Sequence, residues 1–383
     1  MSNGVTLDGD SWWETTESQL DALFAEAAAA SGDIGAALAL AGRLGRLGQL
    51  GRDAPRPGLG ATARYFETLA TLAAADVTVA RVAEPHLDAL AILAECPVPV
   101  DLGLIGAGEE STWGVFAAEG PGVRLAAVPD ADGWVLEGTK PWCSLAGVLS
   151  HALVTAHVGL ERRLFAVALQ QPGVTAHPDA WMARGFPEVP SGPTDFAGVR
   201  AVPVGEPGWY LGRAGFEWGG IGVAACWFGG AVGVARRVVD AAAKKDDDIS
   251  ALHAGRVATS LAAARAMLAS AAGAIDGAGA AGAAAAGVAE RDGAAGAGGR
   301  GTGAGGRTMP ANERALLAQV TRSVVRKACD EVLREAAHAL GPAPLALDAA
   351  YAARVADLSL YLLQDHGDRD SARAGRLIVE AHR

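Results

Sequence analysis

Residues 113–147 read WGVFAAEGPGVRLAAVPDADGWVLEGTKPWCSLAG and carry most of the information about the fold. Alternating apolar residues on either side of the turn sequence DADG at residues 130–133 predict a β-hairpin. The hairpin leads into a Gly-x-Lys-x-Trp-Cys-Ser corner at residues 138–144. This corner brings the indole of Trp142, the hydroxyl of Ser144 and closely spaced backbone amides together. Such a combination suits a flat heteroaromatic ring with acceptor atoms along one edge.

The corner resembles the Gly-x-Lys-x-Trp segment of the acyl-CoA dehydrogenase family, which lies against the isoalloxazine ring of FAD. The resemblance implies FAD as the cofactor, with Trp142 walling one side of the flavin, Ser144 hydrogen-bonding its N5 edge, and Cys143 as a further cofactor-binding residue. Upstream, the sequence Phe-Ala-Ala-Glu that begins at Phe116 resembles the aromatic-x-x-Thr-Glu strand of the family. Phe116 and Ala118 are therefore implied to contribute backbone amides that face the flavin pyrimidine.

The family abstracts a substrate α-proton with a glutamate near the C-terminus, and residues 354–367 resemble the stretch that leads to it. Asp365 falls at the position of that glutamate, so the resemblance implies Asp365 as the catalytic base. A buried aspartate can serve as a base if an apolar pocket raises its pKa. The alternative is that Asp365 belongs to a solvated charged turn. Glu217 is a second candidate for the base.

Two further stretches resemble family landmarks. Gly341 lies where the family has a glycine turn that contacts adenine across a dimer, although a helix C-cap explains this glycine equally well. Residues 81–90 resemble an Arg-x-x-Glu-x-His segment of the helical N-terminal domain. We expect Glu84 and His86 within it to be a pair on the helix surface.

The resemblance implies an FAD-dependent oxidoreductase that acts on CH-CH groups, by α,β-dehydrogenation of an acyl thioester. It also implies an electron-transfer acceptor and a homodimer or homotetramer. A monooxygenase or oxidase on the same fold is the first alternative, because the Tyr-Glu-Gly-Thr segment is missing and His366 is near Asp365. A non-catalytic subunit of a heteromeric enzyme is the second, because the loop after Glu119 lacks the family's CoA-binding and pyrophosphate-binding sequence.

The periodicity of apolar residues predicts a mostly helical α+β protein. We predict an N-terminal helical domain (1–105), a middle β domain (106–210) and a C-terminal four-helix bundle (211–383). A Gly/Ala-rich tract at 274–307 reads as a flexible and dispensable insertion. The predicted helices cover residues 14–30, 34–50, 61–74, 77–93, 216–243, 249–273, 314–340, 349–364 and 371–381, and strands cover 151–157 and 163–169.

Composition narrows the class of protein. The net charge of −11 argues against a nucleic-acid partner, which needs a clustered basic surface. The four cysteines form no Cys-x-x-Cys pair and the eight histidines lack metal spacing, so we expect reduced thiols and no metal site. The polar N-terminus does not read as a signal peptide, and we expect a cytoplasmic protein. The uncharged residues 218–235 predict a helix buried in the bundle rather than a membrane span.

Overall fold

The computed structural model describes residues 3–8, 18–46, 56–131, 133–292 and 309–383. Helices come first, then a β-sheet, then helices again, as the sequence predicts. The helices are α1 (Ser18–Ala29), α2 (Ile34–Leu44), α3 (Thr62–Ala75), α4 (Val77–Glu95), α5 (Trp209–Gly212), α6 (Ala214–Lys245), α7 (Asp248–Asp292), α8 (Ala311–Leu340), α9 (Ala343–Leu347), α10 (Ala349–Tyr361) and α11 (Asp368–His382). The strands are β1 (Trp113–Phe116), β2 (Leu125–Asp130), β3 (Gly133–Lys140), β4 (His151–Val158), β5 (Glu161–Ala168), β6 (Val174–Ala176) and β7 (Thr194–Val204).

Aspartates start two of the N-terminal helices. The Asp33 side chain accepts a hydrogen bond from the Ala36 amide at 3.0 Å, and Asp76 accepts one from Val79 at 3.0 Å. Each satisfies an amide that the first turn of a helix leaves free. Helix α4 continues past Pro85 without a break. Most of the predicted helices form within a few residues of their expected bounds, but α2 ends at Leu44 and α7 runs past residue 273. Residues 14–17 and 47–50 of two predicted helices lie outside the described residues.

The strands form one sheet that closes on itself. Strands β2, β3, β7, β5 and β4 pair in a ring, β1 pairs with β4, and β6 pairs with β7. Asp130 lies opposite Gly133 in the antiparallel β2–β3 ladder, so the predicted hairpin is confirmed. Strand β1 runs parallel to β4, with Phe116 opposite Val154. This pairing brings Phe116 to the same end of the sheet as the corner that follows β3.

Helix α6 packs directly against α3. A Cβ atom on Gly229 would lie 2.0 Å from the backbone oxygen of Ala70, so only glycine allows the two backbones to come this close. Both α6 and the first part of α7 are long and apolar enough to cross a membrane by length and composition. In the most apolar window of α6, 72% of residues are buried by protein, which agrees with the predicted bundle helix.

The Gly/Ala-rich tract does not begin where the sequence predicts. Helix α7 passes the expected end at Gly273 and continues to Asp292, because alanine is the strongest helix former. Ile275 is fully buried, and the Asp276 carboxylate accepts hydrogen bonds at 3.0 Å from the amides of Gly60 and Thr62. The prediction of flexibility is therefore wrong for the first residues of the tract, its dispensability stays a prediction, and residues 293–308 lie outside the described residues.

The Asp276 side chain on α7 caps the start of α3, and replacing Asp276 tests that role. We expect Asp276→Ala to lower the free energy of unfolding by about 1–2 kcal/mol, because two amides at the start of α3 lose their acceptor. Urea unfolding followed by circular dichroism measures the change. Asp240→Ala, at an exposed position on α6, is the control and should change stability by less than about 0.5 kcal/mol. Equal losses in the two variants would contradict the capping role.

The division into three domains stays a prediction. One contiguous core contains buried residues from all three parts, for example Phe66 of α3, Phe165 of β5 and Trp227 of α6. The site described below lies where these parts meet.

Candidate functional site

The corner after β3 has a strained backbone. Trp142 and Leu145 have left-handed φ angles of 59° and 58°, and Phe186 has one of 55°. Bulky residues rarely adopt this conformation, and such residues cluster at functional sites where the surrounding structure holds them. Here the amides of Cys143 and Leu145 donate to backbone oxygens in residues 190–192, each at 3.0 Å. The corner is thus tied to the segment that precedes β7.

Ser144 is the centre of a side-chain network. Nη2 of Arg81, on α4, donates to its Oγ at 2.8 Å, and the Ser191 hydroxyl lies 2.7 Å away. The Ser191 hydroxyl donates to the Val189 oxygen at 3.1 Å. The Ser144 proton must then point at Ser191, because each hydroxyl has one proton to donate. The guanidinium of Arg81 also lies 5.7 Å from the centre of the Tyr361 ring.

A narrow crevice of about 20 Å³ lies between α4, β1 and the corner. Its lining includes Arg81, Phe116, Ser144 and Leu149. Two of the predicted cofactor residues, Phe116 and Ser144, are therefore brought together. The Trp142 side chain is 57% exposed although it is large and apolar, so its indole is open to a planar partner.

The other predicted cofactor residues do not line this crevice. Cys143 is buried behind the corner, and its thiol donates to the Lys140 oxygen at 3.3 Å. Burial raises the pKa of this thiol to about 12, which keeps it protonated and unreactive. Ala118 is exposed, two residues beyond the end of β1. Gly341 is the C-cap of α8 and does not line the crevice.

Asp365 is buried rather than solvated. Its side chain is 2% exposed, one carboxylate oxygen accepts from the Gly367 amide at 2.8 Å, and Arg326 lies 4.0 Å away. The other oxygen has no hydrogen-bond partner among the described residues. The exposed-turn alternative is therefore wrong for Asp365, although the neighbouring His366 is 66% exposed. The second candidate base, Glu217, lies 3.9 Å from Arg314 at the start of α6.

The expectation of a surface pair at Glu84 and His86 is wrong, because both side chains are buried. His86 Nε2 lies 2.9 Å from the Gly45 oxygen, and its Nδ1 accepts from the Trp113 amide at 3.3 Å. These bonds suit a neutral imidazole, and burial lowers the pKa of His86. Sequence reasoning missed this because the faces of α4 that carry the two residues are covered by β1 and α6, which are distant in sequence.

A charged stripe runs along the buried face of α4. Arg81, Glu84 and Asp88 are spaced by three and four residues, so they share one face of the helix. Asp88 pairs with Arg213 at 3.5 Å, and Arg213 also pairs with Glu95 at 2.7 Å. Charges at helical spacing on an otherwise apolar and buried helix are the sequence signal that could have identified this stripe.

No protein-family model and no curated protein matches the chain. Its structure is similar to that of a dibenzothiophene monooxygenase from Paenibacillus sp. A11-2, with 17% identity, a TM-score of 0.72 and coverage of 96% of this chain and 98% of that one. The likeness establishes the fold. The structure of the same monooxygenase has also been solved with FMN bound.

Two further solved structures share this fold. The protein KijD3, in complex with FMN and dTDP-3-amino-2,3,6-trideoxy-4-keto-3-methyl-D-glucose, is 17% identical with a TM-score of 0.70, and 95% of this chain and 90% of that one are covered. A methanesulfinate monooxygenase from Pseudomonas fluorescens is 18% identical with a TM-score of 0.65, and 95% of this chain and 97% of that one are covered.

Proposed function

We propose that this protein is a flavin-dependent monooxygenase that binds FMN at the Trp142–Ser144 corner and oxygenates a small organic molecule. The observation that carries the proposal is the strained corner, whose exposed indole and half-buried hydroxyl network lie on a fold shared with an FMN-bound monooxygenase. The oxygenase alternative is thus better supported than dehydrogenation of an acyl thioester. Asp365, the base that dehydrogenation needs, makes no contact with the corner among the described residues.

We infer FMN rather than FAD because solved structures with this fold contain FMN. The indole of Trp142 offers a face for the isoalloxazine ring, and aromatic stacking favours such a contact. The Ser144 hydroxyl and the Arg81 guanidinium offer polar groups at the ring edge.

The residues of the chain have separable roles in this proposal. Bound flavin in its reduced form supplies two electrons to dioxygen. The positive charge of Arg81 favours negative charge that develops at the corner, because it is fixed in place by Ser144. The apolar side chains of Phe116 and Leu149 exclude water from the crevice. The hydrogen bonds to Arg81 and Ser191 hold the Ser144 hydroxyl in one orientation before the flavin binds.

Trp142→Ala tests the cofactor site. We expect FMN affinity to fall by at least about tenfold, since an aromatic contact is worth about 0.5–1.5 kcal/mol beyond the area that it buries. Fluorescence titration with FMN measures the affinity, and circular dichroism checks the fold. Leu160→Ala, at a side chain that is 97% exposed, is the control and should bind FMN like the wild type.

Two outcomes would contradict the proposal. Full FMN affinity in Trp142→Ala would place the flavin elsewhere. Anaerobic reduction of the bound flavin by an acyl thioester would support dehydrogenation instead. Extraction of the flavin from the purified protein, followed by chromatography, separates FMN from FAD.

A further inference from the structure

A buried aspartate connects α10 to the loop that contacts the Ser144 corner. Asp357 is 5% exposed, and one of its carboxylate oxygens accepts a hydrogen bond from the Phe186 amide at 2.5 Å. The other oxygen accepts from the Thr78 hydroxyl, on α4, at 3.2 Å. Both oxygens of this buried carboxylate therefore have a partner, and one of the two partners belongs to the loop between β6 and β7.

The hydrogen bond to Asp357 lies where the loop is strained and closely packed. Phe186 has a left-handed φ of 55°, which a bulky residue rarely adopts unless the surrounding structure holds it. A Cβ atom on Gly185 would lie 2.6 Å from the Ala356 oxygen, so the backbone of the loop lies directly against α10. The indole of Trp181 also donates to the Phe186 oxygen, at 3.0 Å. Asp357 therefore contacts the loop at the residue whose backbone most needs support.

Residues 186–192, the 186–192 loop, connect this point to the corner. The Val189 amide donates to the Phe186 oxygen at 3.0 Å, which closes a turn. The Val189 oxygen in turn accepts from the Ser191 hydroxyl at 3.1 Å, and that hydroxyl lies 2.7 Å from the hydroxyl of Ser144. Backbone oxygens of the same loop accept the two amide hydrogen bonds from the corner. A continuous series of hydrogen bonds thus joins α10 to the corner.

One face of α4 supports both neighbours of the Ser144 hydroxyl. Thr78 and Arg81 are three residues apart, so they lie on the same side of the helix. Arg81 donates to the Ser144 hydroxyl directly. Thr78 donates to Asp357, which also accepts from the loop that carries Ser191.

We propose that Asp357 is a positioning residue that holds the Ser144–Ser191 hydroxyl pair in the arrangement that binds the flavin, an inference whose last step rests on the proposed function. Asp357 does not line the crevice, so it acts only through the 186–192 loop. Loss of its carboxylate leaves the Phe186 amide without an acceptor, which makes the packed position of the loop less favourable. The three hydrogen bonds between the loop and the corner then weaken.

Hydrogen–deuterium exchange on the full chain tests the positioning role without flavin. In Asp357→Ala the amides of Cys143 and Leu145 should exchange at least about tenfold faster than in the wild type, because a lost hydrogen bond to a charged acceptor makes local opening easier. Asp357→Asn keeps a neutral acceptor for the Phe186 amide, so its increase should be smaller. Mass spectrometry with electron-transfer fragmentation resolves the two amides.

Thr78→Val is the matched control, because it removes the other hydrogen bond of the same carboxylate and keeps the one to the loop. It should leave exchange at the corner unchanged. Equally faster exchange throughout the chain in Asp357→Ala, including the buried part of α6 around Trp227, would mean a purely structural role and overturn the proposal. Unchanged exchange at the corner would also overturn it, and Asp357→Asn decides this if the alanine variant does not fold.

Fluorescence titration with FMN tests the last step. Asp357→Ala should bind FMN at least about tenfold more weakly than the wild type, whereas Thr78→Val should match the wild type. If the wild-type protein does not bind FMN, the proposed function fails, and the exchange experiment still decides whether Asp357 positions the corner. If Asp357→Ala binds FMN like the wild type although its corner exchanges faster, the proposed function stands and the role of Asp357 in flavin binding is overturned.

Discussion

Replacing Gly229 with alanine is expected to lower the free energy of unfolding by about 3 kcal/mol, because overpacking a tight contact forces the backbone to move. The new methyl group would lie 2.0 Å from the Ala70 oxygen and 2.6 Å from its carbonyl carbon. Both atoms belong to the backbone of α3, so no side-chain rotation can relieve the clash. Helices α3 and α6 must separate, and the buried residues between them lose contacts.

Replacing a second helical glycine, on α7, is expected to change stability in the opposite direction. Gly273 lies inside a helix, and a methyl group added there would meet no atom of the surrounding structure within 4 Å. Gly273→Ala should therefore raise stability by about 0.5–1 kcal/mol, because alanine loses less backbone entropy than glycine on folding. Chemical unfolding of the two variants beside the wild type measures both changes. A Gly229→Ala protein as stable as the wild type would mean that α3 and α6 tolerate a wider separation.

Arg213→Met should cost about 3–5 kcal/mol at neutral pH, because it leaves buried acids without their cation. The Arg213 side chain is 4% exposed and pairs with both Asp88 and Glu95. Burial already raises the pKa of Asp88 although Arg213 opposes that shift. Without Arg213 the folded-state pKa of Asp88 rises further, so the folded variant binds a proton that the unfolded chain releases. The loss of stability should therefore shrink as the pH falls through that higher pKa.

An exposed ion pair is the control for this substitution. Arg237 pairs with Asp348 at 2.8 Å, and its side chain is 50% exposed. Arg237→Met should cost less than about 1 kcal/mol, because water solvates both partners when the pair is broken. Thermal unfolding between pH 5 and 8 compares the two variants. A similar, pH-independent loss in both would show that packing of the arginine stem, rather than charge, accounts for the effect.

The helices and the hairpin were predictable because their signals are local. Asp33 caps the helix that was predicted to begin at residue 34, and the turn at residues 130–133 joins antiparallel strands. The extent of α7 was not predictable in this way. Its alanines favour a helix, but Ile275 and Asp276 reveal their role only when the N-terminal helices are folded against them. Those contacts join residues far apart in the chain, which local patterns do not report.

The candidate site likewise has one part that a local motif predicts and another that depends on residues far apart in the sequence. The corner at Trp142 and Ser144 could be read from a short motif, and the structure brings Ser144 and Phe116 to one crevice. The role of α4 could not be predicted from a motif, because Arg81 and Ser144, which form a hydrogen bond, are 63 positions apart in the sequence. Glu84 was placed on the surface for the same reason, since its burial depends on helices from the second half of the chain.

The bond between Asp276 and the start of α3 also has a consequence for synthesis of the protein on the ribosome. The two partners are separated by 214 residues, so α3 exists for that whole interval without its cap. At 5–20 residues per second, translation of this stretch takes on the order of 10–40 s. Gly229, which packs directly against α3, also emerges late. The apolar surface of the first helices must therefore stay open in the nascent chain, which makes chaperone binding valuable and folding slow after release.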